Sequence, residues 1–367
     1  MLRDSVADFV NRATDIARMR RMRAQGVDCD RALWSQIAEL GWLGVLVPEE
    51  LGGLGLGLAE AATVAEGLAS VLAPEPYTPV AVLAATALAH SDDGALKTDL
   101  LSRLVSGKLL VALAWQETAG EIGVEAVGAQ AAVFEGGYKL NGIKRYIPGV
   151  AEADGYVVSA RDANELGLYW VSRNTAGIAV TAETLADGRH IGTFAMKDAL
   201  VPRTQRLATG AAAVNALETA CDHATVIAGA ELLGVMGRVL DMSLDYMRTR
   251  VQFGKPIGSF QALQHRAVDL YIQRQLASAV LEDGLHRLSE TRHAKTRAIV
   301  ASRVKARCSE AGLRIAREAI QIHGAIGFTD EYDAGLYLKR AMVLASWLGN
   351  AALHRRRYAR LALEAKV

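Results

Sequence analysis

Four long stretches of helical periodicity fill the C-terminal part of this chain and constrain its fold more than any other feature. Apolar side chains recur along one helical face in the segments 222–250, 259–288, 293–325 and 333–364. Pro256 and Gly258 separate the first two segments, because proline lacks a backbone N–H and glycine is a poor helix former. Helices of this length can bury their apolar faces against one another. The sequence therefore predicts an antiparallel four-helix bundle.

The N-terminal part shows the same periodicity in shorter pieces. Leu33, Trp34, Ile37 and Leu40 follow the i, i+3, i+4, i+7 spacing that places apolar side chains on one helical face. Glycine and proline interrupt the pattern and indicate loops. We therefore expect a helical domain over residues 1–108.

The hydrophobic pattern changes near Leu109, where short apolar runs alternate with Gly, Asn and Asp turn signals. The candidate strands are 109–115, 128–134, 143–148, 155–160, 166–171 and 177–182. They predict a small β-barrel or sandwich over residues 109–206, followed by the helical bundle over 207–367. A length of 367 residues also exceeds what one hydrophobic core usually serves. The expected fold is therefore an α+β multi-domain protein.

Composition excludes several classes of partner. The 41 Lys and Arg residues nearly cancel the 40 Asp and Glu residues, which argues against a nucleic-acid or anionic-membrane surface. The three cysteines, Cys29, Cys221 and Cys308, lie far apart, and neither they nor the histidines show metal-ligand spacing, so no disulfide framework or metal site is expected. The charged N-terminus does not resemble a secretory signal, and no charge-free stretch approaches the roughly 20 residues of a membrane span. We expect a soluble cytoplasmic protein.

Two segments of the C-terminal part carry the functional signal. The first is Arg250-Val-Gln-Phe-Gly-Lys-Pro-Ile-Gly-Ser-Phe-Gln261 and the second is Gln321-Ile-His-Gly-Ala-Ile-Gly327. An arginine beside a Phe-Gly-Lys-Pro break is an awkward core residue but a suitable anion ligand, because a guanidinium pairs with a diphosphate through two parallel hydrogen bonds. A glycine-rich turn lets backbone N–H groups approach the same anion. The two phenylalanines of the first segment could equally be core residues.

These segments resemble the paired flavin-adenine-dinucleotide (FAD) signatures of the acyl-CoA dehydrogenase family, and the resemblance covers nearly the whole chain. It implies that one subunit holds the adenosine-diphosphate half of an FAD whose flavin lies in the neighbouring subunit. The residues that it assigns to the cofactor are Arg250, Gln252, Phe253, Phe260, Gln261, Gln321, Gly324, Tyr146 and Asn350. Ala325 stands where the family often has a second glycine. Asp222 matches a position that contacts the CoA portion of the substrate.

The segments that the resemblance places against the flavin match the family pattern less well. The family's loop of hydroxyl and backbone donors corresponds to the segment after Trp115, where Glu117 and Thr118 preserve part of it. A segment whose hydroxyl approaches the flavin corresponds to Tyr146-Ile147-Pro148, and proline offers neither a hydroxyl nor an N–H. The resemblance therefore supports binding of a neighbour's adenosine diphosphate better than binding of a flavin on this subunit's own surface.

The catalytic base that the resemblance calls for is missing. The family removes an α-proton from an acyl thioester with a carboxylate, and the position that holds this glutamate in many members is Leu348. Some members place the base where this chain has Ala224. Neither side chain can accept a proton, so the catalytic residue is unknown.

Other carboxylates have structural interpretations. Glu231 lies two helical turns beyond Ala224 and is expected to be solvated or at an interface. Asp222 is a suitable N-cap for the helix that follows it, with CoA contact as a second role. Glu331 and Arg340 are expected to form a structural ion pair.

Three functional hypotheses remain open. The first is an acyl-CoA dehydrogenase subunit that works beside a different, base-bearing subunit, as in family systems that act on bulky steroid side-chain and dicarboxylic acyl-CoA substrates. The second is a homomeric dehydrogenase with an unidentified base. The third is a flavin-dependent monooxygenase, which needs no such base. The resemblance implies an acyl-CoA substrate, an electron-transfer flavoprotein as acceptor, and a homo- or hetero-oligomeric dimer or tetramer.

Overall fold

The computed structural model describes residues 2–92, 94–163, 165–291 and 293–363. The α-helices are α1 Leu2–Ala13, α2 Ile16–Gln25, α3 Arg31–Glu39, α4 Leu58–Ser70, α5 Ala85–Ala89, α6 Ala95–Val105, α7 Gly210–Thr249, α8 Gln261–Glu290, α9 Ala294–His323, α10 Ala334–Ser346 and α11 Ala351–Leu363, with a π-helix at Thr78–Ala84 before α5. The strands are β1 Val111–Ala114, β2 Gln130–Phe134, β3 Gly137–Pro148, β4 Gly155–Asp162, β5 Glu165–Ser172, β6 Ile178–Thr184, β7 His190–Pro202, β8 Arg206–Thr209, β9 Val251–Gln252 and β10 Lys255–Pro256.

The chain divides into two compact units. One comprises Met1–Arg21, Ala62–Ala73 and Thr225–Val367, and the other comprises Met22–Ala61 and Pro74–Ala224. The predicted fold class is confirmed: helices come first, a sheet follows, and a helical bundle ends the chain. The boundaries proposed at residues 108 and 206 stay a prediction.

An eight-stranded sheet forms the centre of the unit that contains Pro74–Ala224. Its strand order is β6-β7-β3-β2-β4-β5-β8, and β1 pairs with β4 in parallel. Successive residues of a strand face opposite sides of the sheet, so every second side chain contributes to the core on one face. The largest members of that core are Tyr138, Tyr156, Tyr169 and Phe194. The sheet therefore gives this unit its own apolar interior.

Each of the six predicted strands coincides with an observed strand, but β7 and β8 were not predicted. In β7 buried residues alternate singly with accessible ones, and Asp198 adopts a positive φ of 51° within the strand. The strand therefore lacks the continuous apolar run on which the prediction relied, and its cross-strand partners in β3 provide the pairing instead.

The bundle of the other unit is centred on α9. Most side chains of this helix are buried, and α8, α10 and α11 all pack against it. The C-terminal part of α7 lies in the same unit and approaches α4 closely at Gly234, where an added Cβ would come within 2.1 Å of the carbonyl oxygen of Glu66. Only glycine permits this spacing.

The fourth predicted bundle helix is two helices, which corrects the prediction of one helix over 333–364. Helix α10 ends at Ser346 and α11 begins at Ala351. Between them Leu348 and Gly349 adopt positive φ values of 57° and 96°, which no helix contains. Asn350 then accepts a hydrogen bond from the N–H of Leu353 at 2.9 Å and so caps α11. The sequence Leu-Gly-Asn thus ends one helix and starts the next.

Helix α7 starts earlier than predicted, at Gly210 instead of about residue 222. The alanine-rich residues that precede Asp222 favour the helix and contain no break. Within the described ranges, α7 is the one helix long and apolar enough to cross a membrane by length and composition, but 89% of its apolar window is buried inside the protein. This burial is typical of a core helix.

Candidate functional site

The first signature folds into a short hairpin after α7. Strands β9 and β10 pair through Gln252 and Lys255, and the turn residues Phe253 and Gly254 both adopt positive φ, 56° and 77°. Positive φ at both turn positions favours glycine and asparagine, so a phenylalanine there is strained. Its ring is nonetheless 92% exposed. A strained and exposed aromatic side chain at a hairpin turn is available for a contact outside this chain.

Arg250 lies at the base of this hairpin with an exposed side chain. Its backbone N–H donates to Tyr246 and its carbonyl oxygen accepts from Ile257, both at 2.8 Å, so the main chain is fixed. Its guanidinium forms no hydrogen bond or ion pair to another described residue. All of its N–H donors therefore remain available to a ligand.

The other first-signature residues surround the hairpin. Phe260 lies edge-on to Phe253 with ring centroids 6.1 Å apart, and the Lys255 ammonium lies 4.4 Å from the centroid of Phe260. Gln252 and Gln261 are exposed. Neither phenylalanine belongs to a buried core, so the alternative interpretation of both as core residues is wrong.

The second signature forms the end of α9 and the turn that follows. Gln321 is exposed near the end of the helix, and Gly324 ends it with a φ of 64°. A Cβ added at Gly324 would meet no heavy atom within 4 Å, so the backbone here borders open space. Ala325 is exposed in the same turn. A ligand can approach this backbone closely.

A stack of aromatic rings joins the ends of the two helices that carry the signatures. The imidazole of His323, at the end of α9, lies 4.6 Å from the ring of Tyr246 on α7 and 4.6 Å from that of Tyr332. Its Nδ1 lies 2.7 Å from the carbonyl oxygen of Ala319, and burial lowers the pKa of the ring. Arg250 and Gln321 therefore project from the same end of the bundle.

This end of the bundle fits the diphosphate of FAD. It offers an uncommitted guanidinium on a fixed backbone and an open glycine turn, which are donor groups suited to an anion. Exposed apolar side chains accompany both segments, Phe253 on the hairpin and Phe328 after the turn, which is 82% exposed. Anion-binding groups accompanied by exposed apolar side chains are consistent with a site that a second chain covers.

Leu348 and Asn350 lie in the break between α10 and α11. Leu348 is buried, with 3% of its surface exposed, and Asn350 is exposed. The side-chain oxygen of Asn350 caps α11, a structural role that the sequence prediction did not include. The expected base position is thus a strained loop residue, and its side chain has no titratable group.

Two buried side chains hold this break in place. The Lys305 ammonium on α9 donates to the carbonyl oxygens of Leu344 at 2.8 Å, Ala345 at 3.2 Å and Gly349 at 3.0 Å. The Nε2 atom of His354 on α11 donates to the carbonyl oxygen of Leu348 at 2.8 Å. Burial lowers the pKa of Lys305 to about 7 and that of His354 to about 3. The break is therefore a fixed structure with satisfied carbonyls.

The buried neutral imidazole of His354 makes a pH prediction. The unfolded chain takes up a proton near pH 6.5, whereas the folded chain does so only near pH 3, so the free energy of unfolding falls as the pH falls through this window. Between pH 6.5 and 5 the expected loss is about 2 kcal/mol. His354→Gln keeps a donor for Leu348 but does not titrate, and it should reduce this loss. Urea unfolding of both proteins at the two pH values measures it, and equal losses would contradict the assignment.

Glu231 and Arg340 correct two predictions at once. The Arg340 guanidinium donates to Glu231 Oε2 at 2.5 Å, and both side chains are 9% exposed. Glu231 is thus neither solvated nor at an open surface, and Arg340 pairs with it and not with Glu331, which is exposed. The sequence did not reveal the pair because its members are 109 residues apart. A carboxylate held in a buried ion pair is a poor candidate for the missing base.

Asp222 is not an N-cap, because α7 begins at Gly210 and Asp222 lies in the helix interior with 2% of its surface exposed. Its assignment to CoA contact stays a prediction. Ala224 is fully buried on the same helix. The second position at which the family can carry a base is therefore an interior alanine.

The segments of the sheet unit that the resemblance assigns to the flavin are organised around a buried lysine. Lys144 on β3 donates to Glu117 Oε1 at 2.6 Å and to Ser159 Oγ at 2.9 Å, and none of its side chain is exposed. Its neighbour Tyr146 is 39% exposed and has a positive φ of 58°. Glu117 is thus committed to an internal ion pair, while Tyr146 is accessible.

Lys144 and Lys305 were not predicted to be buried, although each has a recognisable signal. Lys144 follows Tyr138 and Leu140 on the inward face of β3 by simple alternation. Lys305 lies one turn beyond Ala301 on the apolar face of α9. A lysine in register with apolar neighbours indicates a buried charge with a specific partner. Within the described part of the chain, no three His, Cys, Asp or Glu side chains converge to hold a metal ion.

Known proteins are similar to this chain in sequence and in fold. Family models described as "Acyl-CoA dehydrogenase, N-terminal domain" and "Acyl-CoA dehydrogenase, C-terminal domain" match residues 1–108 and 206–363. The chain is 32% identical over 344 residues to acyl-CoA dehydrogenase IpdE2 of Mycobacterium tuberculosis, covering 93% of this chain and 90% of that protein.

Two solved structures are similar along their whole length. The ChsE4-ChsE5 complex from Mycobacterium tuberculosis has a TM-score of 0.89 and 30% identity, covering 99% of this chain and 96% of that chain. A variant of the Tcur3481-Tcur3483 steroid ACAD has a TM-score of 0.88 and 28% identity, covering 100% of this chain and 97% of that chain. The chain belongs to the acyl-CoA dehydrogenase family of oxidoreductases.

Proposed function

We propose that this chain is one subunit of a heteromeric acyl-CoA dehydrogenase, in which a second subunit of the same family supplies the catalytic base. The observation that carries the proposal is a contrast between two parts of the bundle unit. Arg250 and its hairpin are exposed and uncommitted, whereas the base position is a buried leucine. A subunit that had lost all function would have no reason to keep a strained, exposed Phe253.

FAD is the cofactor that family membership supports. In the proposed arrangement, Arg250 and the backbone around Gly324 hold its diphosphate, while Gln252, Gln261 and Gln321 provide further polar contacts and Phe253 and Phe260 provide apolar cover. When bound, FAD supplies the hydride acceptor for the oxidation. This chain's own contribution is electrostatic: a guanidinium donates paired hydrogen bonds to the diphosphate, and a covered site strengthens them.

Tyr146, Asp222 and Asn350 complete the proposed ligand set. Tyr146 is accessible on the sheet and is proposed to contact the flavin of an FAD whose diphosphate the second subunit holds. The next two residues are Ile147, which is buried, and Pro148, which has no donor, so hydroxyl donation by this segment is limited to Tyr146. Asp222 is proposed to contact CoA and Asn350 to contact the cofactor through its amide N–H groups.

The solved relatives support a mixed assembly and suggest its substrate. One of them is a complex of two named proteins, and another is described as a steroid ACAD. We therefore propose that this chain also pairs with a different family member, as a dimer or a dimer of dimers, and that the pair oxidises a bulky acyl-CoA. An electron-transfer flavoprotein is the proposed acceptor, and the cytoplasm is the proposed compartment.

Co-expression with an acyl-CoA dehydrogenase-like protein encoded beside this chain tests the proposal. The expected result is co-purification, with FAD retained and acyl-CoA-dependent bleaching observed only in the mixed complex. A pure homo-oligomer that holds one FAD per chain and is bleached by an acyl-CoA would favour the homomeric dehydrogenase. Flavin that is reduced by an added reductase and consumes oxygen would favour the monooxygenase. Either of these outcomes overturns the paired arrangement.

A further inference from the structure

The buried lysine of β3 joins four parts of the sheet unit. Besides Glu117 and Ser159, the Lys144 ammonium lies 3.3 Å from the carbonyl oxygen of Trp115, at the end of β1. Ser159 belongs to β4, and Glu117 belongs to the loop that follows β1. One cation therefore connects strands β1, β3 and β4 with that loop.

Glu117 extends the connection to a fourth strand. Its carboxylate accepts hydrogen bonds from the N–H groups of Gly128 and Ala129, each at 3.0 Å, just before β2. These bonds and the lysine hold the pKa of Glu117 below its ordinary value despite burial. The carboxylate is thus held from two sides, by the Lys144 ammonium and by the two N–H groups. Its role is internal.

The same lysine lies at the start of an irregularity in β3. Lys144 pairs with Phe194 of β7, but the next paired residue is Ile147, opposite Gly192. Arg145 and Tyr146 therefore oppose the single residue Thr193, which is the pattern of a β-bulge. The bulge gives Tyr146 its positive φ and points it out of the ladder. Bulges of this kind re-aim a side chain.

A main-chain hydrogen bond connects the bulge to the loop. The N–H of Arg145 donates to the carbonyl oxygen of Gln116 at 2.8 Å. The loop residues 116–118 and the bulge residues 145–146 therefore lie side by side. Lys144, which immediately precedes the bulge, also bonds to Glu117 of the loop. The proposed function assigns Tyr146 of the bulge to the flavin, and the resemblance relates the 116–118 loop to the family's flavin-contacting loop.

We propose that Lys144 is a positioning residue for the flavin: its ammonium fixes the 116–118 loop and the Tyr146 bulge relative to each other so that both present a single surface to the ring. The proposal rests on the proposed function, because it assumes that these segments face FAD. It does not require Lys144 to touch the cofactor. A buried cation that pairs with a partly buried carboxylate costs desolvation energy, and its geometric specificity is what the chain gains.

Lys144→Met tests the proposal. The side chain is similar in length but cannot donate, so Glu117 loses its cation and the loop and the bulge lose their common anchor. In the FAD-loaded complex we expect FAD affinity to fall by at least about tenfold, and the visible absorption band of the bound flavin to shift. Lys139→Met is the matched control, because Lys139 lies on the same strand with 45% of its side chain exposed, 4.0 Å from Asp198. It should leave affinity and spectrum unchanged.

The double variant Lys144→Met with Glu117→Gln separates positioning from general stability. It removes both buried charges, so thermal stability should return toward that of the wild type, while the weakened FAD affinity and the shifted spectrum should remain. If both FAD properties recover together with stability, Lys144 is only structural and the proposal fails. Unchanged affinity and spectrum in the single Lys144→Met variant would also overturn it.

Hydrogen exchange gives a readout that does not depend on FAD. In Lys144→Met the amides of residues 116–118 and 145–147 should exchange at least about tenfold faster than in the wild type, with or without cofactor. Unchanged exchange in both segments overturns the proposal. If the wild-type chain retains no FAD in any assembly, the proposed function fails, and the exchange experiment still decides whether Lys144 couples the two segments.

Discussion

Arg250→Ala is expected to release FAD from whichever assembly this chain forms. The wild-type guanidinium is exposed, has no protein partner among the described residues, and projects from a backbone fixed by two hydrogen bonds of 2.8 Å. A forked contact with the diphosphate makes two charge-assisted hydrogen bonds of about 1.5–3 kcal/mol each. Their loss should lower FAD affinity by roughly 100-fold or more, which prevents retention during purification.

The ratio of flavin to protein absorbance after gel filtration measures this loss. Arg248→Ala is the matched control, because Arg248 lies two residues away, is 70% exposed and pairs only locally with Asp245 at 2.8 Å. It should retain FAD. Arg250→Lys keeps the charge but not the planar fork, so its retention should be intermediate. Full retention in Arg250→Ala would remove the main cofactor assignment of this chain.

Sequence periodicity was sufficient for the architecture. The first three bundle helices and six of the eight sheet strands were predicted because their apolar residues recur at the period of the element. The prediction failed where conformation depends on single residues. A leucine with positive φ followed by Gly349 ends α10, and the prediction gave the apolar pattern more weight than the Gly349-Asn350 stop signal.

The candidate site was predicted in part. The signatures indicated Arg250 and Gln321, and the structure places both at one end of the bundle through the stack of Tyr246, His323 and Tyr332. Their actual ligands stay a prediction. The sequence could not reveal the internal partners of Glu231 and Glu117, because Arg340 and Lys144 come from elements that are distant along the chain and meet only in the folded protein. Long-range ion pairs leave no local pattern.

The side chain at position 348 has no titratable group, whereas the loop around it is fixed by hydrogen bonds from buried side chains. Position 348, where the resemblance places the base, holds a leucine, and the loop that carries it is held by a buried ammonium and a buried imidazole. A loop with no remaining function would not need these costly buried groups. The shape of the base position is therefore kept although its chemistry is absent. Restoring the carboxylate should be enough to test the rest of the site.

Leu348→Glu should give the homomeric protein a proton acceptor at the position where many family members carry it. The loop backbone is already fixed by Lys305 and His354, so the new carboxylate needs little reorganisation. Burial of position 348, which is 3% exposed in the wild type, should raise the pKa of the new carboxyl toward neutrality, as suits a general base. A positioned base contributes about 10²–10⁴-fold, and we expect acyl-CoA dehydrogenation to increase by that order.

Anaerobic bleaching of the FAD-loaded homomer by a bulky acyl-CoA measures this gain. Leu348→Gln is the control, because its amide has the size of glutamate but cannot accept a proton, and it should remain as inactive as the wild type. Bleaching in Leu348→Glu alone would show that this chain's flavin surface is complete and that the leucine is its main defect. A Leu348→Glu homomer that holds FAD but gives no bleaching would place the defect in the flavin-facing segments instead. Pro148 is the first residue there to replace, because it has no donor to offer.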